Sequence, residues 1–147
     1  MVLKIFRIDK NNPLPCYMSD GASGIDLYAS LDHPIALQKG EYKCIPTGIV
    51  ISLPRGYEAQ VRPRSGLAAN NGVTVLNTPG TVDSDYRGEI KVILINHGPL
   101  SFVVKNGMRI AQMVINKVQK ADIIEVLKME EIDITKRDGG GFGHTGV

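Results

Sequence analysis

The chain has 147 residues, of which 43% are hydrophobic and 22% charged, and its net charge is +2. This composition is typical of one soluble globular domain, and the scattered Lys and Arg residues give no basis for binding long nucleic acids. No apolar run is long enough to span a membrane, and the N-terminus lacks a signal-peptide pattern. Because Cys16 and Cys44 are too few for a disulfide framework, we expect reduced thiols in a cytoplasmic protein.

Short β-strands separated by turn residues are the predicted elements along the chain. Isoleucine and valine are abundant, whereas the chain has three Phe, five Tyr and no Trp, and β-branched side chains favour strands. Turn residues recur at short intervals from Asn70 onward, which is typical of an antiparallel sandwich or barrel. One helical turn is expected at residues 65–69, and residues 125–134 are the other candidate helix. The predicted strands are residues 2–8, 41–44, 48–53, 58–62, 73–76, 89–96, 101–104, 109–118 and 123–127.

The predicted strand at 89–96 is apolar on both faces. Ile90, Val92 and Leu94 alternate with Ile93 and Ile95, so neither face is suited to water. In a small β protein this pattern indicates that the second face meets another sheet or another subunit. We therefore expect an oligomer.

The composition changes at the C-terminal end of the chain. Residues 135–147 contain five of the sixteen glycines and one large apolar side chain, too little to offset the entropy of ordering. The chain therefore divides into a β domain, residues 1–134, and a flexible arm, residues 135–147. Composition alone favours a frayed terminus. The arm also carries side chains suited to a lid over a nucleotide, namely Arg137, Phe142, His144 and Thr145.

The most informative segment is residues 80–91, which read GTVDSDYRGEIK. We predict a β-hairpin with Asp83 and Tyr86 at or near its tip, because turn residues open and close the segment. Asp83 is the candidate general base, since a carboxylate within hydrogen-bond reach accepts a proton from water. Tyr86 either packs against a flat sugar or base or is an exposed turn residue. Asn77, just upstream, has an amide that donates and accepts at a base edge.

Two polar side chains lie within otherwise apolar stretches. In ASGIDLY, residues 22–28, Asp26 stands between apolar neighbours that should face a core. A turn or capping role and a functional role are equally open for it. Gln112 lies inside an apolar strand, where its amide needs partners, so it belongs either to a core network or to a ligand contact.

An arginine and a serine stand together in RPRSGLA, residues 62–68. The planar guanidinium of Arg64 suits phosphate, and Ser65 and Gly66 place a hydroxyl and free backbone N–H groups beside it. A simple turn after a strand would explain the Pro and Gly but not this pairing. The chain has no phosphate-binding P-loop and no nucleophilic Ser or Cys motif, and its histidines lack zinc spacing.

In this order, five segments resemble the five sequence motifs of the trimeric dUTPase family. They read ASGIDLY, RPRSGLA, GTVDSDYRGEIK, GMRIAQMV and RDGGGFGHTG, and the match runs from residue 22 to 146. The resemblance implies an all-β, antiparallel, jelly-roll-like barrel that forms a homotrimer with active sites shared between subunits. It also implies Mg²⁺-dependent hydrolysis of dUTP to dUMP and pyrophosphate, which limits uracil incorporation into DNA and supplies dUMP for dTMP synthesis.

The resemblance also implies a role for each candidate residue. Asp83 would activate the water that attacks the α-phosphorus, and Asp26 would support the metal's water shell or the second motif. Tyr86 would pack against the deoxyribose and exclude a ribose 2′-hydroxyl. Uracil would contact Asn77, Gly80, Thr81, Val82, Asp83, Lys91 and Phe142. The phosphates would contact Arg64, Ser65, Gly66, Gln112, Arg137, His144 and Thr145.

Departures from the family pattern lie in the fifth motif. His144 stands where serine is common, although it still donates to phosphate, and Asp138 adds an anion near a polyanion. Two alternatives stay open. A zinc-independent dCTP deaminase shares the fold but lacks the DSDY pattern and uses a glutamate near the base. A trimeric binding module without chemistry is disfavoured by the joint presence of Asp26, Arg64, Ser65, Asp83, Gln112 and Arg137.

Overall fold

The structure is a computed structural model that describes residues 1–135 and 137–140. In that part of the chain it is built almost entirely from β-strands, with a single short α-helix. In chain order the elements are β1 (Lys4–Arg7), β2 (Ile25–Tyr28), β3 (Ile35–Leu37), β4 (Tyr42–Ser52), β5 (Tyr57–Arg62), α1 (Ser65–Asn71), β6 (Val73–Val75), β7 (Gly80–Val82), β8 (Glu89–Asn96), β9 (Phe102–Val104), β10 (Arg109–Lys117) and a 3₁₀ turn (Met129–Glu131).

The strands form two four-stranded antiparallel sheets and a short two-stranded one. Sheet I has the strand order β1-β4-β8-β6, sheet II has β2-β10-β5-β7, and β3 pairs with β9. From β4 to β8, consecutive strands alternate between the two large sheets, so each connection crosses from one to the other. This crossing pattern is that of a jelly roll, and the predicted antiparallel, jelly-roll-like all-β fold is confirmed.

Alternating side chains of the two sheets form one core. On β5, Ala59 and Val61 are buried while the residues between them are partly exposed. On β2, Ile25 and Leu27 are likewise buried, and they join the same cluster as Val92 of sheet I. This period of two is what a strand with one face on a core requires. The core therefore consists of branched aliphatic side chains, as the composition predicts.

Strand β4 combines two predicted strands, residues 41–44 and 48–53, into one. The pairing of β4 with β8 shifts register between Pro46 and Val50. Gly48 in this stretch has φ +67°, a conformation that glycine adopts without strain. The residues between the two predicted strands therefore belong to a β-bulge inside a continuous strand.

The predicted hairpin at residues 80–91 is wrong. Strand β7 pairs with β5 in sheet II, whereas β8 pairs with β4 and β6 in sheet I. The turn at Asp83–Tyr86 is present, since the Tyr86 backbone N–H donates to Asp83 O at 3.1 Å. It therefore joins two sheets rather than two paired strands.

Other predictions of secondary structure have mixed outcomes. The helical turn at 65–69 is confirmed as α1, whose C-terminal cap is Gly72 in the left-handed conformation. Strands β2 and β3 were not predicted, although β6 and β9, which have three residues each, were. Residues 123–127 do not form a strand, and of the candidate helix at 125–134 only the 3₁₀ turn is present. Among the described residues, no helix is long and apolar enough to cross a membrane.

Asn96 is the polar side chain most deeply buried in this core. It is fully buried, and its Nδ2 donates to Leu37 O at 2.9 Å and to Leu100 O at 2.8 Å. Its Oδ1 accepts the Gly98 N–H at 2.9 Å. The side chain therefore joins the ends of β3 and β8 to the loop that leads into β9.

We predict that Asn96→Ala lowers the free energy of unfolding by about 3 kcal/mol or more, because it leaves the buried Leu37 O and Gly98 N–H and the partly buried Leu100 O without partners. Chemical denaturation of both variants measures the effect. Asn70→Ala, at an exposed position of α1, is the matched control and should be neutral or slightly stabilising, since alanine favours helices. Similar losses for both variants would contradict this role for Asn96.

Candidate functional site

Three charged side chains from separate segments meet at one end of sheet II. Arg64 Nε lies 3.4 Å from Asp26 Oδ1, and Arg109 Nη1 lies 3.1 Å from Asp26 Oδ2. Arg64 Nη1 also donates to the backbone carbonyl of Arg109 at 2.9 Å. We call these three residues the arginine cluster. The carboxylate of Asp26 thus separates two guanidinium groups and fixes the orientation of both.

The strand register explains why these residues meet. Asp26 lies opposite Gln112 on β10, and Gln112 lies opposite Arg62 at the end of β5. Arg64 follows two residues later in an extended conformation, immediately before α1. Three segments that are distant in sequence therefore become adjacent because β10 pairs with β2 on one side and with β5 on the other.

Gln112 connects the same segments through its amide. Its Nε2 donates to Pro63 O at 2.9 Å, and a Cβ added at Gly24 would lie 2.6 Å from its Oε1. Gly24 is therefore needed for close approach rather than for a turn alone. Of the two interpretations left open from the sequence, a polar network is present at Gln112, and its half-buried side chain lies beside the arginine cluster.

Sequence analysis missed Arg109. Little in the sequence indicates a functional role for it, because one arginine in the segment GMRIAQMV looks like an ordinary exposed strand residue. The position opposite Tyr28 on β2 brings its side chain to Asp26. Only the pairing of β2 with β10 reveals this contact.

A second group of candidate residues lines a cavity of about 330 Å³ between the two large sheets, which we call the β7–β8 pocket. A volume of this size suits a small-molecule ligand. The lining combines apolar side chains with an amide, two carboxylates and an ammonium group. Its residues are Cys44, Asn77, Thr81, Val82, Asp83, Tyr86, Glu89, Ile90, Lys91 and Ile93.

Asp83 and Tyr86 stand at the mouth of this pocket. Both are exposed, and the turn between them is held by Arg87, whose Nη1 donates to Ser84 O and to Tyr86 O at 2.7 Å each. The Tyr86 hydroxyl donates to Glu89 O at 3.1 Å. Since the ring is bonded at its far end, it forms a fixed wall rather than a freely rotating surface side chain.

The floor of the pocket is the open edge of β7. This strand is last in the order of sheet II, and only its β5 side is paired, through Val61, Gln60 and Ala59. Its other edge therefore presents backbone N–H and C=O groups. A Cβ on Gly80 would lie 3.1 Å from the Asn77 Nδ2, so the Asn77 amide lies directly over the start of this edge.

The arginine cluster and the mouth of the β7–β8 pocket lie apart within one chain. Val82 pairs with Ala59, so Asp83 falls level with Glu58 at the start of β5, whereas Arg64 follows the end of β5. At about 3.3 Å per residue, Glu58 and Arg62 are separated by about 13 Å along the strand. Arg64 also points across β10 towards Asp26, away from β7. One chain alone therefore does not bring Asp83 and Arg64 to a common point.

The arm is described only at its start. Arg137 Nε donates to Gly140 O at 2.8 Å, within its own loop. Phe142, His144 and Thr145 lie outside the described residues. Their predicted contacts stay predictions.

Within residues 1–135 and 137–140, no three His, Cys, Asp or Glu side chains come together as a metal-ligand set. Both oxygens of Asp26 face guanidinium groups, so this carboxylate does not suit direct coordination. A carboxylate offers about four acceptor positions, and Asp26 keeps capacity for a metal-bound water. Magnesium commonly retains waters and takes its other ligands from substrate phosphates. The residues present fit a divalent ion that arrives with a polyphosphate.

Comparison with known proteins identifies close relatives. The family model described as dUTPase matches residues 10–146. A deoxyuridine 5'-triphosphate nucleotidohydrolase of Thermoanaerobacter sp. is 58% identical, and the match covers 100% of this chain and 99% of the relative. Its counterpart in Caldanaerobacter subterraneus subsp. tengcongensis is 60% identical over the same shares.

Solved structures share the fold at lower sequence identity. A mutant dUTPase of Staphylococcus bacteriophage 80alpha with dUpNHpp has a TM-score of 0.87 at 21% identity, covering 99% of both chains. A mutant dUTPase from phage phi11 of S. aureus, described as revealing the coordination of a structural Mg(II) ion, has a TM-score of 0.78 at 18% identity. That match covers 88% of this chain and 99% of the phage chain.

We predict opposite effects for two Gly→Ala substitutions in the candidate segments. Gly24→Ala should destabilise the protein by about 1–2 kcal/mol, because its Cβ displaces the Gln112 amide from Pro63. Gly66→Ala should be neutral or stabilising, since an added Cβ meets no atom within 4 Å and alanine favours the helix. Thermal and urea unfolding measure both.

The contact with Gln112 can be isolated by a double-mutant cycle. On a Gln112→Ala background the clash is gone, so Gly24→Ala should cost clearly less there than in the wild type. Equal costs on both backgrounds would show that Gly24 acts independently of Gln112.

Proposed function

Because the chain belongs to the dUTPase family, we propose that it hydrolyses dUTP to dUMP and pyrophosphate with Mg²⁺. The observation that carries the proposal is the β7–β8 pocket, where an exposed carboxylate, a fixed tyrosine ring and an open strand edge surround one small cavity. The arginine cluster supplies guanidinium groups that would bind phosphates. Triphosphate hydrolysis needs positioning and charge neutralisation more than covalent chemistry, and these side chains supply both.

Asp83 is the proposed general base. Its exposed carboxylate stands at the mouth of the pocket and is held by the turn to Tyr86. From there it accepts a proton from the water that attacks the α-phosphorus. Bound Mg²⁺ would neutralise charge on the phosphates. Asp26 would support the metal indirectly, through a water molecule bound to Mg²⁺.

Tyr86 is proposed to select deoxyribose. Its ring is bonded to Glu89 O through the hydroxyl and forms a wall of the pocket. A ring in a fixed position leaves a defined space beside the sugar, and a 2′-hydroxyl requires additional room. The preference for a deoxynucleotide thus follows from shape, since the ring offers no hydrogen-bonding group at its face.

The base would be read by backbone groups. The open edge of β7 presents N–H and C=O groups that pair with a planar base edge as they would with another strand. Gly80, Thr81, Val82 and Asp83 supply this edge, Asn77 adds an amide, and Lys91 lines the far side. Close contact with the strand leaves little space for a methyl group on the pyrimidine, which favours uracil over thymine.

Phosphates would be held by Arg64 of the arginine cluster and by the residues beside it. Arg64 presents a guanidinium oriented by Asp26 and by Arg109 O, and such a planar fork suits phosphate oxygens. Ser65 and Gly66 follow it at exposed positions. Gln112 lies beside them and is fixed by its bond to Pro63.

We infer that each active site is shared between subunits of a homotrimer. Asp83 and Arg64 lie at opposite ends of β5, and the Arg64 side chain is directed towards Asp26, away from β7. A neighbouring copy would bring its Arg64 to the β7–β8 pocket. Large apolar side chains exposed in the single chain support assembly, among them Ile123 at 96%, Leu127 at 88% and Phe6 at 65% exposure.

Residues 135–147 are proposed to act as a glycine-rich arm that completes the site, distinct from the β domain of residues 1–134. In this proposal Phe142 covers the uracil, while Arg137, His144 and Thr145 contact the outer phosphates. Glycines give the arm freedom to close over a nucleotide. Asp138 directly follows Arg137 in the sequence. Its negative charge would weaken the binding of these phosphates.

The activity has a cellular consequence that follows from its chemistry. Removing dUTP limits uracil incorporation into DNA, and the dUMP formed is the substrate for making dTMP. Both thiols are free among the described residues, which is consistent with the reducing cytoplasm that we propose as its location.

We predict that Asp83→Asn lowers kcat for dUTP by roughly 10²–10⁴-fold, because the amide cannot accept the proton from water. Binding of dUTP should change little, since the amide is close in shape to the carboxylate. Asp85→Asn, two residues away in the same exposed turn, is the matched control and should keep nearly full kcat. Pyrophosphate release from variants purified free of host enzyme provides the measurement, and equal losses for the two would remove Asp83 from its role.

A mixing experiment tests the shared site. Chains carrying Asp83→Asn and chains carrying Arg64→Ala should each be nearly inactive alone. After co-refolding in equal amounts, a site is intact when its Asp83 and its Arg64 come from the complementary chains. Random assembly of cyclic trimers should therefore recover roughly a quarter of wild-type activity. A chain with both substitutions, refolded alone, is the blank, and a hybrid trimer without recovery would contradict sharing.

The rival activities are separated by their products. Incubation with dUTP and with dCTP, with and without Mg²⁺, should give pyrophosphate from dUTP only, and only with the metal. Ammonia from dCTP would instead indicate a deaminase. Nucleotide binding without either product would indicate a binding module.

A further inference from the structure

We propose that Glu89 is a positioning residue for Tyr86, anchored at the β-bulge of β4 around Gly48. The inference rests on the proposed function, since it concerns how the site distinguishes deoxyribose from ribose. It extends the specificity machinery to Gly48, a residue outside all five sequence motifs. Glu89 itself makes no contact with the sugar in this proposal.

The first step is that the position of the Tyr86 ring depends on residues 88 and 89. The Tyr86 hydroxyl donates to the backbone carbonyl of Glu89 at 3.1 Å. A Cβ on Gly88 would collide with the hydroxyl and would lie 2.5 Å from the ring Cζ. The ring therefore packs directly against the backbone of residue 88. Its position follows that of residues 88 and 89, and any movement of the start of β8 moves the ring.

The second step is the anchor of Glu89. Its Oε1 accepts the Gly48 backbone N–H at 2.8 Å, a bond that is partly buried. A hydrogen bond from an amide to a carboxylate is stronger than one between neutral groups. Next to it, the Thr47 hydroxyl donates to Ile90 O at 2.5 Å. Two bonds from the bulge thus hold the first two residues of β8.

The third step is the rigidity of the bulge. Gly48 has φ +67°, and a Cβ there would lie 2.9 Å from Ser30 Oγ and 3.0 Å from Asp9 Cβ. Its carbonyl accepts the backbone N–H groups of Ile8 at 2.7 Å and Asp9 at 3.3 Å. The Ser30 hydroxyl donates to the Asp9 carboxylate at 3.0 Å. The bulge is therefore fixed by β1 and by the chain that follows β2.

These steps form one chain of contacts from the core edge to the pocket. The bulge holds the Glu89 carboxylate, Glu89 and Gly88 hold the Tyr86 ring, and the ring limits the space at the sugar. Loss of the carboxylate removes one of the two bonds from the bulge, which loosens the start of β8 and lets the ring shift. Ribose should then gain access, while deoxyribose, which already fits, should lose little.

The experiment compares Glu89→Ala and Glu89→Gln in the full-length enzyme. Specificity is the ratio of kcat/KM for dUTP to that for UTP, and the Kd ratio of UDP to dUDP from calorimetry supplies a readout without turnover. Glu89→Ala should lower both ratios by about tenfold or more, as displacement of a positioned group does. Glu89→Gln keeps an oxygen acceptor for Gly48 N–H and should stay within about threefold of wild type.

Two further variants complete the design. Tyr86→Ala marks the effect of removing the ring itself and should lower the ratios at least as much as Glu89→Ala. Glu41→Ala is the matched control, because Glu41 also accepts a backbone N–H, from Gln38 at 2.8 Å, and lies at the opposite end of β8. It should lower Tm without changing either ratio. If Glu89→Ala does not fold, Glu89→Asp, whose shorter side chain draws back from Gly48, replaces it.

Each outcome has a definite meaning. Glu89→Ala with a lower Tm and unchanged ratios would overturn the proposal, as would Glu89→Gln behaving like Glu89→Ala. Ratios unchanged in Tyr86→Ala would overturn it by removing the ring from sugar selection. A wild type that binds dUDP over UDP without hydrolysing dUTP would refute the proposed reaction, and the Kd ratios of the variants would still decide the role of Glu89.

Discussion

Strand β5 is the constraint on which the arrangement of the site depends. It is central in sheet II, paired with β10 on one side and β7 on the other. Its two ends carry different chemistry, with Asp83 level with its start and Arg64 beyond its end. Because a paired strand is an extended rod, the separation between them cannot be closed by side-chain movement. This separation is the reason for our proposal that the site takes the two residues from different copies of the chain.

The same sheet creates the surface that a nucleotide base would contact. Strand β7 is short and terminal in sheet II, and the chain leaves it for sheet I instead of returning beside it. An open edge of this kind usually risks unwanted pairing between proteins. Here it faces the β7–β8 pocket, where Asn77, Asp83 and Tyr86 surround it. The jelly-roll connection thus leaves open the edge that we propose as the surface that binds the base.

Glycines determine how closely the functional side chains approach the backbone. Gly24 makes room for Gln112, Gly88 for the ring of Tyr86, and Gly48 for Ser30 and Asp9. In each case the close neighbour of the glycine is a side chain and not a turn partner. Gly24 and Gly88 thereby explain why two of the candidate segments contain glycine next to polar residues.

The fold class, the family and all candidate residues except Arg109 were predictable from the sequence. Those depend on local properties, namely β-branched composition, turn residues and the order of five short motifs. Three features appear only in the folded chain: β7 and β8 belong to different sheets, a bulge lies between Pro46 and Val50, and Arg109 meets Asp26. These features depend on which strands pair, and pairing arises from contacts between residues far apart in the chain. The strand predicted at 123–127 failed for the same reason, since its apolar residues find no partner strand among the described residues of a single chain.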